Sequence, residues 1–288
     1  MDSLTPSTSE AAPSEAVTSP GAALTARYGA DAVPPAGPWN ATIASLLDHR
    51  SVRGYRPDAL PEGTLETLVA AASSAATSSN LQTWSVIAVR DPVKLAALAA
   101  IAGGQKHIEQ CPLFLVWLAD LSRNERLGRA AGTVLEGMPY LESFLVAAID
   151  AALAAQNAVV AAEALGLATV YIGALRNDVV GVAEILGLPP GAMGVFGLCV
   201  GYATEAGRGE VKPRLPQAAV LHHDSYDASA EPAQRAAYDA LLGAFSKRQE
   251  MVADTWTQRV ISRIGTLTAL RGRDRLSAAI RSLGIPLR

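Results

Sequence analysis

Three polar segments carry residue types from which a binding site can be built. His49-Arg50-Ser51-Val52-Arg53 offers two guanidinium groups three residues apart, with a hydroxyl between them. Three residues is almost one helical turn, so both groups can face one ligand. The planar fork of arginine matches a phosphate. Lys212-Pro213-Arg214 sets two cations on one side of an extended segment, because residues two apart share a face. That pair fits a second clamp on the same phosphate. Ser78-Ser79-Asn80-Leu81-Gln82 supplies hydroxyls and amides suited to the edge of a heterocycle. Each segment taken alone is more often a solvated loop. Together they describe a site for a phosphorylated, planar, polar-edged ligand.

Other chemistries find no support in the motifs. There is no GxSxG, no HExxH, no Walker loop and no glycine-rich dinucleotide fingerprint after a strand. His222 and His223 are adjacent, a poor spacing for ligating one metal. Cys111 and Cys199 form no CxxC pair and sit in or beside apolar runs, as buried free thiols do. No carboxylate stands out as a general acid or base. Asp150 and Glu163 fall within a helix and read as paired or edge residues.

The elements that must position these loops centre on Phe144–Arg176. The first two-thirds of that stretch reads as a long helix with most of its alanines on one half. Such a small-residue face suits a close helix–helix contact, including one across a dimer axis. Gly166 stops the helix, and Leu167–Ile172 is an apolar, β-branched strand buried on both faces. Gly173-Ala174 at its end lets a ligand approach the backbone. Further helices are expected at 41–48, 61–76, 91–102 and 177–186, with strands at 85–90, 112–119 and 192–202. Residues 121–141 read as an excursion of loop and helix. Lys212–Pro216 is extended. The order implies an α/β or α+β fold with a mostly buried sheet.

Half of the 288 residues are hydrophobic and 18% are charged, so a sizeable core is expected. A net charge of -3 argues against nucleic-acid and membrane-surface roles. No signal peptide and no apolar run of the roughly 20 residues needed to span a bilayer is evident, so the cytoplasm is the simplest compartment. Residues 1–38 are rich in Ala, Ser, Thr, Pro and Glu and read as a disordered tail. Residues 39–226 read as the core domain, and 227–288 as a C-terminal extension of two or three surface helices.

From about residue 42 to 226 the chain resembles the nitroreductase superfamily of FMN-dependent reductases, most of all its NADPH-linked nitroreductase and flavin reductase branch. The resemblance rests on motifs in the family's order: His49–Arg53, Ser78–Gln82, Gly103-Gly104-Gln105-Lys106-His107, Ala155–Ala158, Gly166–Asn177, Phe196–Gly201 and Lys212–Pro216. Asp254-Thr255-Trp256 adds to it. The resemblance implies an α+β fold with a central, mostly antiparallel sheet flanked by helices. It also implies an intertwined homodimer with FMN at the subunit interface. Arg50, Ser51, Lys212 and Arg214 would hold the FMN phosphate, with His49 at its border. Arg53 would lie near the flavin pyrimidine. Ser78, Gln82 and Gln105 would bond the ring edge or ribityl chain. Tyr171, Ile172, Gly173 and Ala174 would lie along the isoalloxazine, with a backbone N–H near N5. The cofactor then carries the reaction, and no side-chain general acid is required. The implied activity is hydride transfer from NADPH or NADH through flavin to nitroaromatics, quinones or free flavin. The alternatives are a flavin reductase that supplies reduced FMN to a partner, and a non-catalytic flavin-binding regulatory protein. Relatives that prefer NADPH carry arginines just before Asp-Thr-Trp. Here that stretch is Gln249-Glu250-Met251-Val252-Ala253, with Lys247, Arg248, Arg271, Arg273 and Arg275 nearby, so the choice of nucleotide stays open.

Overall fold

Alternation along one strand organises the whole molecule. In this computed structural model, which describes residues 19–252 and 255–288, β2 (Leu113–Asp120) has every side chain buried. Phe114, Val116 and Leu118 point to one side, and Leu113, Leu115 and Trp117 to the other. A strand covered on both faces must lie inside its sheet. It does so between β1 (Trp84–Val89) and β4 (Ala192–Gly201), and β4 in turn pairs with β3 (Ala168–Ile172). The order is β1-β2-β4-β3 and every pairing is antiparallel. The α+β expectation is borne out.

The helices, in chain order, are α1 (Pro20–Tyr28), α2 (Ala41–Asp48), α3 (Thr64–Ser73), α4 (Pro92–Ile101), α5 (His107–Gln110), α6 (Ser122–Ala130), α7 (Leu141–Ala164), α8 (Val179–Leu186), α9 (Glu231–Arg248), α10 (Trp256–Ile264), α11 (Leu267–Leu270) and α12 (Leu276–Ser282). Leu68 and Ala72 of α3 and the alanines of α7 cover one face of the sheet. Leu95, Leu98 and Ala99 of α4, Ile108 of α5 and Val182 of α8 cover the other. Gly197 of β4 makes room for the ring of Phe114, which occupies the place a Cβ would take.

Three expectations are corrected here. The alanine half of α7 makes the close helix–helix contact expected of it, but with α3 of its own chain and not across an axis. Ala151, Ala154, Ala155, Ala158 and Ala162 are fully buried inside this chain, against the sheet and α3. Small side chains let α7 lie close on the pleated surface. The exposed ridge is instead Leu141, Leu145, Ile149 and Leu153, spaced four apart on one stripe. Among the described residues α7 is the one helix long and apolar enough to cross a membrane, and its buried face makes it a core helix.

The second correction concerns residues 20–38. They are not a structureless tail. Ser19 caps α1 and Pro20 opens it, Ala23 and Leu24 are buried, and the helix packs on α2. Gly29 ends it against Leu241 of α9. Residues 1–18, the rest of the expected tail, lie outside the described residues. The strand at 168–172 is also less covered than expected. It is an edge of the sheet, and Tyr171 remains 37% exposed.

Candidate functional site

The first cationic segment is extended, not helical. Ser51 bridges Thr169 of β3, and Val52 N–H donates to the Thr169 carbonyl at 2.9 Å. Farther on, Arg56 N–H donates to the Tyr202 carbonyl at 2.9 Å. Val52 and Tyr55 are buried in the core, while Ser51 and Arg53 are exposed. The segment is not helical, so the near-helical spacing expected of Arg50 and Arg53 does not apply. They serve different parts of one cationic surface instead. Arg50 makes a paired contact with Asp48, at 2.8 and 3.1 Å, on the side of Arg27. Arg53 stands near Lys212 and His107; burial disfavours the charged form of each, and Arg53 adds to this.

His49 and Glu163 form the hinge of this region. His49 Nδ1 lies 2.6 Å from Glu163 Oε1, which also accepts from Thr169 Oγ1 at 3.1 Å. The pair is shared by two adjoining recesses. One, of about 540 Å³, lies between α2, the end of α7 and the start of β3, and is bordered by Arg50 and Arg208. The other, of about 280 Å³, is bordered by Arg27, Gln156 and Arg214.

The second cationic segment is fixed from behind. Tyr238 of α9 donates its hydroxyl to the Pro213 carbonyl at 2.9 Å, which leaves Pro213 buried between Lys212 and Arg214. Burial lowers the Lys212 ammonium below its ordinary value, and the charges of Arg259, Arg53 and Arg214 lower it further. Lys212 thus lies among several like charges, which disfavour its charged form.

The Tyr171–Ala174 strand end borders the same region. Tyr171 donates its hydroxyl to Gln156 Oε1 at 3.3 Å and stacks edge-on to Phe196 at 5.1 Å. Ile172 is buried, so only its backbone can meet a ligand. At Gly173 a Cβ would stand 3.2 Å from the Arg176 guanidinium. Gln105 donates its amide to the Ala102 carbonyl at 2.9 Å, beside the left-handed turn of Gly103 and Gly104.

The Ser78–Gln82 loop is not brought to the clamp within one chain. It is pinned to the middle of α7 by Asp150, which is 1% exposed. Asp150 accepts from the Ser78 N–H at 3.1 Å, the Thr83 N–H at 3.1 Å and the Thr83 hydroxyl at 2.9 Å. The clamp is tied to α7 at Glu163, and thirteen residues of helix correspond to roughly 20 Å. Ser78 and Gln82 are exposed, and Ser79, Asn80 and Gln82 all take positive φ. The sequence reads Asp150 as a paired or edge residue within a helix, and the structure shows it paired without the partners having been foreseen.

Sequence reasoning missed Arg27 and Arg263, and named Arg271 and Arg273 without their neighbours. Arg27 sits beneath the phosphate-type clamp. Arg176, Arg263, Arg271 and Arg273 gather beside Gly173 and Gly103. Burial lowers Arg273 first, and Arg263, Arg176 and Arg271 lower it further. Near the open nucleotide question, Arg248 is engaged by Glu210 at 3.1 Å. Thr255 caps α10 in a reciprocal box with Gln258, and Trp256 packs by Tyr238, while Ala253 and Asp254 lie outside the described residues.

A four-stranded antiparallel sheet between helical layers, with a basic clamp at the edge strand, matches a known class. The nitroreductase family model matches residues 46–202, and the model for the C-terminal domain of that family matches residues 212–288. The chain belongs to the nitroreductase family. It is 37% identical over 233 residues to an FMN reductase (NADPH) of Bacillus subtilis, covering 77% of this chain and 91% of that protein. It is 36% identical over 221 residues to an oxygen-insensitive NADPH nitroreductase of Salmonella typhimurium, covering 76% and 89%. The solved structure of B. megaterium NfrA2 superposes with a TM-score of 0.81 at 36% identity, over 87% of this chain and 100% of that one.

Proposed function

We propose that this chain is an FMN-dependent oxidoreductase that moves a hydride from NADPH or NADH to an electron-poor acceptor. Nitroaromatics, quinones and free flavin are the acceptor classes, taken in ping-pong order. Relatives named FMN reductase (NADPH) and oxygen-insensitive NADPH nitroreductase support the reading. The observation that carries it is the tie, through Arg27, of the His49–Ser51 segment to the Lys212–Arg214 segment, which brings His49 and Arg214 to one recess.

The residues fit FMN. Arg50, Ser51, Lys212 and Arg214, with His49 at the border, would hold its phosphate. Arg53 would stabilise negative charge on the ring. Tyr171, Gly173 and Ala174 would support the ring, with Ile172 contributing backbone only, and Gln105 would bond its edge. Bound FMN supplies the hydride-accepting and hydride-donating centre. The chain's share is to bind, orient and tune it.

Ser78 and Gln82 belong to this site only if a second copy supplies them, because in one chain Asp150 holds their loop away from the clamp. A homodimer meets that need. The exposed Leu141–Leu145–Ile149–Leu153 ridge of α7 is an apolar surface such a partner would cover. For the nucleotide, the Arg176–Arg263–Arg271–Arg273 cluster is a source of positive charge outside the stretch that lacks arginines.

Turnover by the purified protein tests the reading. One FMN per chain and NAD(P)H oxidation that depends on added nitroaromatic, quinone or flavin are expected. FMN bound without any NAD(P)H oxidation would overturn it in favour of a flavin-binding protein. Free FMN against a nitroaromatic as acceptor separates flavin reductase from nitroreductase.

A further inference from the structure

The buried guanidinium of Arg27 has no counterpart in the sequence motifs and lies outside both family-matched segments, 46–202 and 212–288. It projects from the last turn of α1 and is 6% exposed. Its Nη1 donates to the Lys212 carbonyl at 2.7 Å. Its Nη2 donates to the Leu47 carbonyl at 2.5 Å and the His49 carbonyl at 3.1 Å. In return the Arg27 carbonyl accepts from Arg214 N–H at 2.8 Å. One residue thus ties the chain leading into His49-Arg50-Ser51 to the chain carrying Lys212 and Arg214. These segments are 185 and 22 residues from it in sequence, and the described interactions include no direct hydrogen bond between them.

We propose that Arg27 is a positioning residue for the phosphate clamp, locking its two cationic segments at the spacing a phosphate monoester dianion requires. The inference rests on the FMN reading above. A guanidinium suits the task because its donors lie in one rigid plane and can serve several carbonyls at once. Those carbonyls would otherwise turn partial negative charge towards the anion. The position also adds a positive charge beside Arg50 and Arg214. Burial, followed by Arg214 and then Arg50, lowers Arg27, while Tyr28 and Asp48 offset part of this. A bound dianion would relieve that repulsion.

The test compares FMN with riboflavin, which has the same ring and ribityl chain but no phosphate. Full-length wild type, Arg27→Met and Arg27→Lys are stripped of flavin and titrated with each compound, following flavin fluorescence. In Arg27→Met the affinity for FMN should fall tenfold or more, equivalent to about 1.4 kcal/mol, while riboflavin binding stays within about twofold. Arg27→Lys should recover part of the FMN affinity, because an ammonium restores the charge but not the planar set of donors. Unchanged FMN affinity in Arg27→Met, or an equal loss for FMN and riboflavin, overturns the proposal. If Arg27→Met does not accumulate as folded protein, Arg27→Lys carries the test: a selective loss of FMN supports positioning, and wild-type FMN affinity refutes it. Wild type that binds neither flavin would instead refute the FMN reading itself.

Discussion

Replacing Asp150 by Asn should destabilise the protein far more than an isosteric change normally does. The carboxylate lies in the middle of α7 and is almost wholly buried. Its two oxygens accept three hydrogen bonds, from Ser78 N–H, Thr83 N–H and Thr83 Oγ1. An amide keeps one acceptor oxygen and turns an NH₂ towards groups that also donate. If the oxygen stays with Ser78, the Thr83 N–H loses its acceptor and faces a donor, while the Thr83 hydroxyl can turn to accept from the amide. If it stays with Thr83, the Ser78 bond is lost and its N–H faces a donor. Bonds to a charged group contribute about 1.5 to 3 kcal/mol each, so a loss of roughly 3 kcal/mol is expected. The loop adds to this sensitivity, since Ser79, Asn80 and Gln82 hold positive φ that an unpinned loop would abandon. Denaturant unfolding at equal protein and FMN concentrations measures the loss, because bound flavin and association both raise apparent stability. Limited proteolysis between residues 78 and 83 should rise in parallel. A change of less than about 0.5 kcal/mol, within the ordinary scatter of surface substitutions, would refute the assignment of Asp150 as the anchor.

Three further outcomes follow from the geometry. Gly197→Ala drives a methyl into the buried Phe114 ring, and overpacking there should cost about 1 to 3 kcal/mol, read as a lowered denaturation midpoint at constant slope. Gly173→Ala brings a methyl 3.2 Å from the Arg176 guanidinium, which donates to the Val195 carbonyl at 2.6 Å, so stability should fall by about 1 kcal/mol as that end gives way. FMN affinity should also fall clearly if the flavin approaches this backbone, and unchanged affinity would remove Gly173 from the site. Lys212 is depressed in the folded chain, so between its folded value and its ordinary 10.5 the unfolded chain binds more protons. Stability of the flavin-free protein should therefore gain a contribution from Lys212 as pH rises through that window, while FMN affinity declines as the ammonium is lost. Lys212→Met should flatten both trends.

Much of the fold was legible where the signal is local. Asn40 caps α2 at 2.9 Å through the Ile43 N–H, and Asp91-Pro92 opens α4 with the cap and first residue that helices prefer. Gly166 takes the left-handed turn after α7. The β-branched runs became strands within a residue or two of where they were expected. What failed depended on partners distant in the chain. The alanine stripe of α7 showed that something packs closely but not that it was this chain's own sheet. The pairing of Ser51 with Thr169 decides that His49–Arg53 is extended, and nothing in the local spacing of the arginines shows it. Helix α1 was obscured by the Ala, Thr and Pro content of its surroundings, although Ser19-Pro20 is a start signal. Asp150 and Arg27 were hidden for the same reason, since their partners lie 67 to 72 and 20 to 185 residues away.

The most direct test of the central claim is the visible spectrum of the FMN-reconstituted protein, recorded anaerobically before and after NADPH and, separately, NADH. The account predicts flavin bands that bleach with at least one donor and return when a quinone or nitroaromatic is added. Flavin bands that persist with both donors, or no bound flavin after reconstitution, would contradict it.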